Sequence, residues 1–103
     1  MAGRCVAHFL SPAKDYIDGL NSADRGAIAA DIDAMQAGDL GLPLTKQLKG
    51  PIREIISGFH RITYFIDAHN IYFIRGFRKK TNKAPVREIT YAEKIYKQLK
   101  SIR

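Results

Sequence analysis

The sequence predicts an α+β domain: an antiparallel sheet preceded by two helices and followed by one. Three observations carry this. Apolar residues recur at helical spacing from about residue 11 to residue 36. After the Gly- and Pro-punctuated "DLGLPLTKQLKGP" the period changes to two, in stretches rich in Ile, Tyr and Phe. Helical spacing then returns over residues 86–100. A chain of 103 residues can bury one sizeable core but not two, so residues 1–103 are expected to form one domain.

Each element has a local reason. "GRCVAHFL" alternates briefly and reads as a short N-terminal strand. Ser11 followed by Pro12 reads as a helix cap with proline in the first turn, and Ala13, Tyr16, Ile17 and Leu20 then mark one buried face. "GLNSAD" interrupts this helix, and Ser22 reads as the cap of the next, with Asp24 in the first turn facing the positive end of the helix dipole. Ile28, Ile32 and Met35 form its inner stripe and Gly38 its stop. So short a link predicts an antiparallel helical hairpin. "DLGLPLTKQLKGP" reads as a connector. "IREIISG", "HRITYFIDA" and "IYFIRGF" read as three strands of a meander, turning at "DAHN". Within the second, Ile62, Tyr64 and Ile66 share one face, and Arg61, Thr63 and Phe65 the other. Ile89, Ala92, Tyr96 and Leu99 line the last helix, which leaves Tyr91 off the stripe.

Charge is uneven along the chain. Residues 1–45 carry 3 Lys and Arg against 6 Asp, for 3 − 6 = −3; residues 46–103 carry 14 against 4 acids, for 14 − 4 = +10; the total is +7. Such a basic half suits a polyanion, nucleic acid first. No apolar run approaches the roughly 20 residues of a membrane span, and the N-terminus lacks the apolar length of a signal peptide. The lone Cys5 cannot form an internal disulfide, so a cytoplasmic protein without membrane partners is expected. Scattered histidines and one cysteine give no metal-ligand spacing, and no glycine-rich nucleotide loop is present, so no metal or cofactor is expected.

The candidate site is "GFRKKTNKAPVREI", where Arg78, Lys79, Lys80, Lys83 and Arg87 precede any acid. Lone basic runs are commonly solvated loops. Here Arg53, Arg61 and Arg75 fall on the adjoining strands, so loop and strands together read as a cationic surface for phosphates. His60 is a candidate proton carrier beside Arg61; His69 reads as a turn residue and His8 as structural. Of Tyr64, Tyr72, Tyr91 and Tyr96, which could stack on bases, Tyr91 reads as functional, while Tyr64 and Tyr96 fit a half-buried core.

"LKGPIREIISGFHRITYFI", "IYFIRGFRKKTNKAPVREI" and "AEKIYKQL" together resemble the HigB-like, phage-derived branch of the RelE/ParE toxin superfamily, from about Leu48 to Ala92. The GF-x-KKT-x-K-x-P-x-x-EI string carries the resemblance. It implies a small twisted antiparallel sheet with an N-terminal helical hairpin and a C-terminal helix. It further implies a toxin of a type II toxin–antitoxin pair that cuts mRNA on the ribosome. The implied partners are a cognate antitoxin of helix-turn-helix type, the ribosome and mRNA, with operator DNA reached only through the antitoxin. By the same resemblance Arg61 matches the arginine of the second strand, Lys79, Lys80, Thr81 and Lys83 match K-K-T-x-K, and Glu88 matches E-I. Ile56 stands where the family pattern has an arginine, and Arg53 alternates to the opposite strand face. Ala84 replaces a threonine expected to cap the last helix, forgoing about 1 kcal/mol.

Cleavage of RNA without metal needs cations around the phosphate and groups that move protons. Arg61, Arg78, Lys79 and Lys80 are the candidates for charge; a lysine, His60 or Tyr91 are those for proton transfer. Arg53, Arg75, Lys83 and Arg87 are the expected phosphate contacts. Two other readings remain: a ParE-like toxin that binds a topoisomerase, and a degraded toxin kept as a nucleic-acid or antitoxin-binding module.

Overall fold

The structure, a computed structural model, describes residues 4–80 and 85–102. Among them the chain runs β1 (Val6–Phe9), α1 (Ser11–Asp18), α2 (Ser22–Gln36), β2 (Thr45–Lys49), β3 (Ile52–Ser57), β4 (His60–Asp67), β5 (Asn70–Arg78) and α3 (Val86–Ser101). The strands form one sheet in the order β1-β5-β4-β3-β2. The α+β class holds, and β3 to β5 form the expected antiparallel meander, with an unexpected β2 antiparallel to β3. The N-terminal strand joins differently: β1 lies parallel to β5, so the sheet is mixed. Its outer edge is partly closed by Gln36, which accepts from the Ala7 N–H through its side chain (3.3 Å) and from the Cys5 N–H through its carbonyl (2.8 Å).

The expected connector contains β2. This strand is an edge, with Lys46, Gln47 and Lys49 exposed, so it needs no apolar alternation and lysines guard its free side. Both helix caps sit one residue earlier than expected. Leu10, not Ser11, is the N-cap of α1, and its carbonyl takes the Ala13 and Lys14 N–H groups. Asn21, not Ser22, caps α2, its Oδ1 accepting from the Asp24 N–H at 2.8 Å.

Two cores lie on opposite sides of the sheet. On one side Ala13 and Ile17 of α1 and Ile28, Ile32 and Met35 of α2 pack on Ile55, Ile62, Tyr64, Ile71 and Phe73. The two helices touch each other little and are held together chiefly by the sheet beneath them. On the other side Ala92, Ile95, Tyr96 and Leu99 of α3 pack on Ile52, Phe65 and Ile74. Lys49–Glu93 and Lys100–Asp67 pairs, both at 3.5 Å, tie α3 to the strands. Ala92, Tyr96 and Leu99 face inward as expected, but the stripe differs at its N-terminal end. Glu88 is buried where Ile89 was expected, and Tyr91 packs against this core instead of lying off it. Glu88 is paired there with Arg75, Nε to Oε1 3.3 Å, which gives its buried carboxylate a counter-charge.

α3 begins at an N-cap Pro85 with no side-chain cap, so position 84 precedes the cap rather than forming it. Glu88, at the third helical position, would ordinarily reach back to the cap N–H; proline has none, which leaves that carboxylate for Arg75. Thr81, Lys83 and Ala84 lie outside the described residues.

Two positions constrain the side chain they can carry, one by backbone strain and one by close approach. Ala68, in the β4–β5 turn, has φ +56°, a region disfavoured for L-residues with a Cβ. Gly76 lies under the Tyr16 ring, and a Cβ there would collide with Tyr16 Cβ, Cγ and Cδ2. Ala68→Gly should therefore stabilise the fold by about 0.5–1 kcal/mol. Gly76→Ala should destabilise it by about 1–3 kcal/mol, because the ring must leave its place. Thermal or urea unfolding of both variants checks the opposite signs.

Candidate functional site

The strand register sets a row of side chains on the α3 side of the sheet. Lys46 pairs with Glu54, Glu54 with Thr63, and Thr63 with Arg75. The next row holds Ile56, Arg61 and Phe77. Arg75 reaches this side through an irregularity. Tyr64 pairs with Phe73 while Thr63 pairs with Arg75, so Ile74 is an extra residue in β5. Ile74 packs in the α3-side core and Arg75 meets α3 as well, so the bulge turns two consecutive residues the same way.

This side carries two arginine–carboxylate couples. Arg61 Nε stands 3.8 Å from Glu54 Oε2, and Arg61 Nη1 donates to the carbonyls of Gly58 (2.8 Å) and His60 (3.0 Å). Glu54 is 0 % exposed. Burial pushes its carboxyl above the ordinary carboxylate range, against the opposing pull of Arg61, Lys79 and Lys46. In the second couple Arg75 Nε stands 3.3 Å from Glu88 Oε1, and the Arg75 guanidinium lies 5.0 Å from the centre of the Tyr91 ring. Arg87, almost fully exposed, adds a longer contact of 3.8 Å to the other Glu88 oxygen.

The structure brings Arg61, Arg75, Lys79 and Tyr91 to this side. Lys79 leaves β5 with its N–H donated to the Phe59 carbonyl (2.8 Å), and its charge acts on Glu54. Lys80, the next residue, is exposed. Three candidates point elsewhere. Arg53 lies on the α1/α2 side, with Nη2 donating to Thr45 Oγ1 (3.1 Å) and Nε to the Tyr64 hydroxyl (3.4 Å). His60 is on that side too. Its Nε2 donates to Asp24 Oδ2 (2.9 Å) and its Nδ1 accepts from the Tyr16 hydroxyl (2.7 Å), a network joining α1, α2 and β4. Adjacent strand residues face opposite ways, which is why His60 is separated from Arg61. Arg78 pairs with His60 and covers the Phe59 ring at 5.2 Å. Lys83 lies outside the described residues. His8 stacks on Tyr72 (4.8 Å) and its Nε2 donates to Asn70 Oδ1 (2.8 Å), the structural role expected of it.

Glu54 and Lys46 are the members of this cluster that residue-type reasoning missed. The signal was present: the Ser57–His60 pair around Gly58 and Phe59 fixes Glu54 opposite Thr63 and diagonal to Arg61. Ile56, where the family pattern has arginine, pairs with Arg61 on this side, so the missing guanidinium would have stood in the same cluster.

The sequence matches the family described as "Phage derived protein Gp49-like (DUF891)" over residues 15–97. None of the curated proteins compared with the chain matches it. Among solved structures, RelE in the archaeal RelE–RelB complex of Pyrococcus horikoshii is similar with a TM-score of 0.64 and 13 % identity, covering 82 % of this chain and 100 % of that one. RelE of the Methanococcus jannaschii RelB–RelE antitoxin–toxin complex gives 0.60 and 18 %, covering 82 % and 95 %. The isolated Escherichia coli RelE toxin gives 0.57 and 14 %, covering 90 % and 97 %. At these identities the likeness is one of fold. The family expected from the K-K-T-x-K motif is the one whose pattern fits most of the chain: the protein belongs to the Gp49-like phage-derived family and has the fold of the RelE toxins.

Proposed function

We propose that the chain is the toxin of a type II toxin–antitoxin pair and that it acts in the cytoplasm as a ribosome-dependent mRNA endoribonuclease. The observation that carries this reading is the convergence of Arg61, Arg75 and Lys79 on one side of the sheet, at the edge where the basic loop departs. Membership of the Gp49-like family and the RelE fold support it.

In the proposed reaction the ribose 2′-oxygen attacks the adjacent phosphorus. The O2′–P bond forms, the P–O5′ bond breaks, and the 2′-OH proton is taken up as another is delivered to the leaving O5′. The products are a 2′,3′-cyclic phosphate and a 5′-hydroxyl, with no redox change and no metal. Arg61, Lys79 and Lys80 oppose the charge that grows on the phosphate. His60 is committed to Asp24 and Tyr16 on the far side, so the lysine amines and the Tyr91 hydroxyl are the proton-handling groups within reach. The ribosome supplies substrate geometry, so modest acid–base equipment suffices.

Lys80→Ala is the clean test, because Lys80 is exposed. It should lower cleavage by about 2.7–4 kcal/mol of barrier with the thermal midpoint unchanged. Lys97→Ala, on the exposed flank of α3, should leave toxicity intact. Arg61→Ala would strand buried Glu54 and cost about 3–5 kcal/mol of stability, so its loss of toxicity is read only beside its unfolding curve. Growth arrest on induction should come with message cut only while it is translated. Intact message with DNA breaks would assign the topoisomerase-binding mode instead.

The proposed antitoxin should lay an acidic segment over Arg75, Lys79 and Lys80. Its association rate should fall steeply with added salt and fall again on charge reversal at Lys80. A salt-independent rate would place the antitoxin on another surface.

A further inference from the structure

We propose that Glu54 is a positioning residue for this reaction: its buried carboxylate holds the Arg61 guanidinium in place and lets Arg61, Lys79 and Lys46 stand together before RNA arrives. The inference rests on the ribonuclease reading above and concerns the same site.

Three observations carry it. Glu54 is fully buried, yet neither carboxylate oxygen accepts a hydrogen bond among the described residues. Stability does not account for such a group, since a buried carboxylate without hydrogen bonds is commonly bettered by a neutral residue of the same size. Second, its surroundings are cationic: Lys46 from β2 stands opposite it, Arg61 from β4 diagonal to it, Lys79 beyond β5 acts on it, and Arg75 lies past Thr63. These charges repel one another when no phosphate is bound, and Glu54 is the counter-charge at their centre. Third, Arg61 Nη1 is held by the Gly58 and His60 carbonyls, and its Nε, without a hydrogen-bond partner among the described residues, faces the Glu54 carboxylate at 3.8 Å, where charge attraction alone acts on it. A carboxylate repels phosphate and is out of its reach here, so Glu54 gives RNA no contact and works through the placement of Arg61.

The role gives Glu54→Gln opposite effects on binding and cleavage. The amide has nearly the same shape and removes a negative charge beneath the cations. Glu54→Gln should bind a single-stranded RNA oligonucleotide as tightly as the parent or tighter. It should cleave message on programmed ribosomes roughly ten- to hundredfold more slowly, the range expected when a charged group loses its placement.

The pH dependence follows from the direction of the Glu54 shift. Because burial raises its value, acidification protonates Glu54 at a higher pH than an ordinary carboxylate, and the parent's rate should fall through that window. Glu54→Gln should show no such fall. The same sign makes the ionised group a cost to folding at neutral pH, so the variant's thermal midpoint should be no lower than the parent's. The Arg61 Nε–H resonance, followed by NMR in the full chain, should be sharp in the parent and broadened in the variant.

Undiminished cleavage with an unchanged Arg61 resonance would overturn the proposal. So would a variant that unfolds, or one whose stability, RNA binding and cleavage fall together, since each marks Glu54 as a structural anchor. If the parent itself cuts no message, the ribonuclease reading fails, while the Arg61 resonance still decides whether Glu54 holds that side chain.

Discussion

With Ile74 left over between the Tyr64–Phe73 and Thr63–Arg75 pairs, β5 turns Ile74 and Arg75 to the same side of the sheet. Regular alternation would send Arg75 toward α1 and α2, away from Glu88. The extra residue brings Arg75 to Glu88 and Tyr91, in the first two turns of α3. It also places Gly76, rather than a side chain, beneath Tyr16, which lets that ring close on the strand and reach His60. One local irregularity thus fixes the charge on one face and the packing on the other.

The two faces are built on different terms. The α1/α2 side is a conventional apolar core flanked by two polar groupings, the Tyr16–His60–Asp24 network and the contacts of Arg53 with Thr45 and Tyr64. The α3 side is divided along the strands. One half is apolar beneath Ala92, Tyr96 and Leu99; the other carries Glu54, Arg61, Thr63 and Arg75. Buried ion pairs of this kind add little net stability and hold their members in fixed positions. The apolar half therefore carries the stability that the ionic half does not supply.

Much of this was legible in the chain. β3, β4 and β5 lie inside the sheet, and interior strands must show their apolar period. β2 was hidden because an edge strand bears lysines and needs no such period. The basic loop and the arginines were visible by residue type, but their facing was not. Arg61 and His60 are neighbours in sequence and on opposite sides of the sheet, and Arg75 changes side at a bulge that Ile74 does not announce. Tyr91 was misplaced because a helical stripe counted on apolar residues excludes Glu88, which is buried by its arginine and not by hydrophobicity. Glu54 could have been found by counting back from the tight turn at Gly58 and Phe59.

The parallel pairing of β1 with β5 bears on how the protein is made. Val6 to Phe9 pair with Asn70 to Phe73, and the His8–Asn70 contact spans 62 positions. Contacts so distant in sequence close slowly, because the intervening chain must be ordered first. During synthesis β1 emerges first and finds its neighbour only after β5 has cleared the exit tunnel, several seconds later at about 5–20 residues per second. Phe9, Ala13 and Ile17 must wait with it, since the strand and the core they pack on are unfinished. The half of the chain that bears the charged residues is thus the half whose translation permits the fold to close, and a ribosome that stops before β5 releases no assembled site.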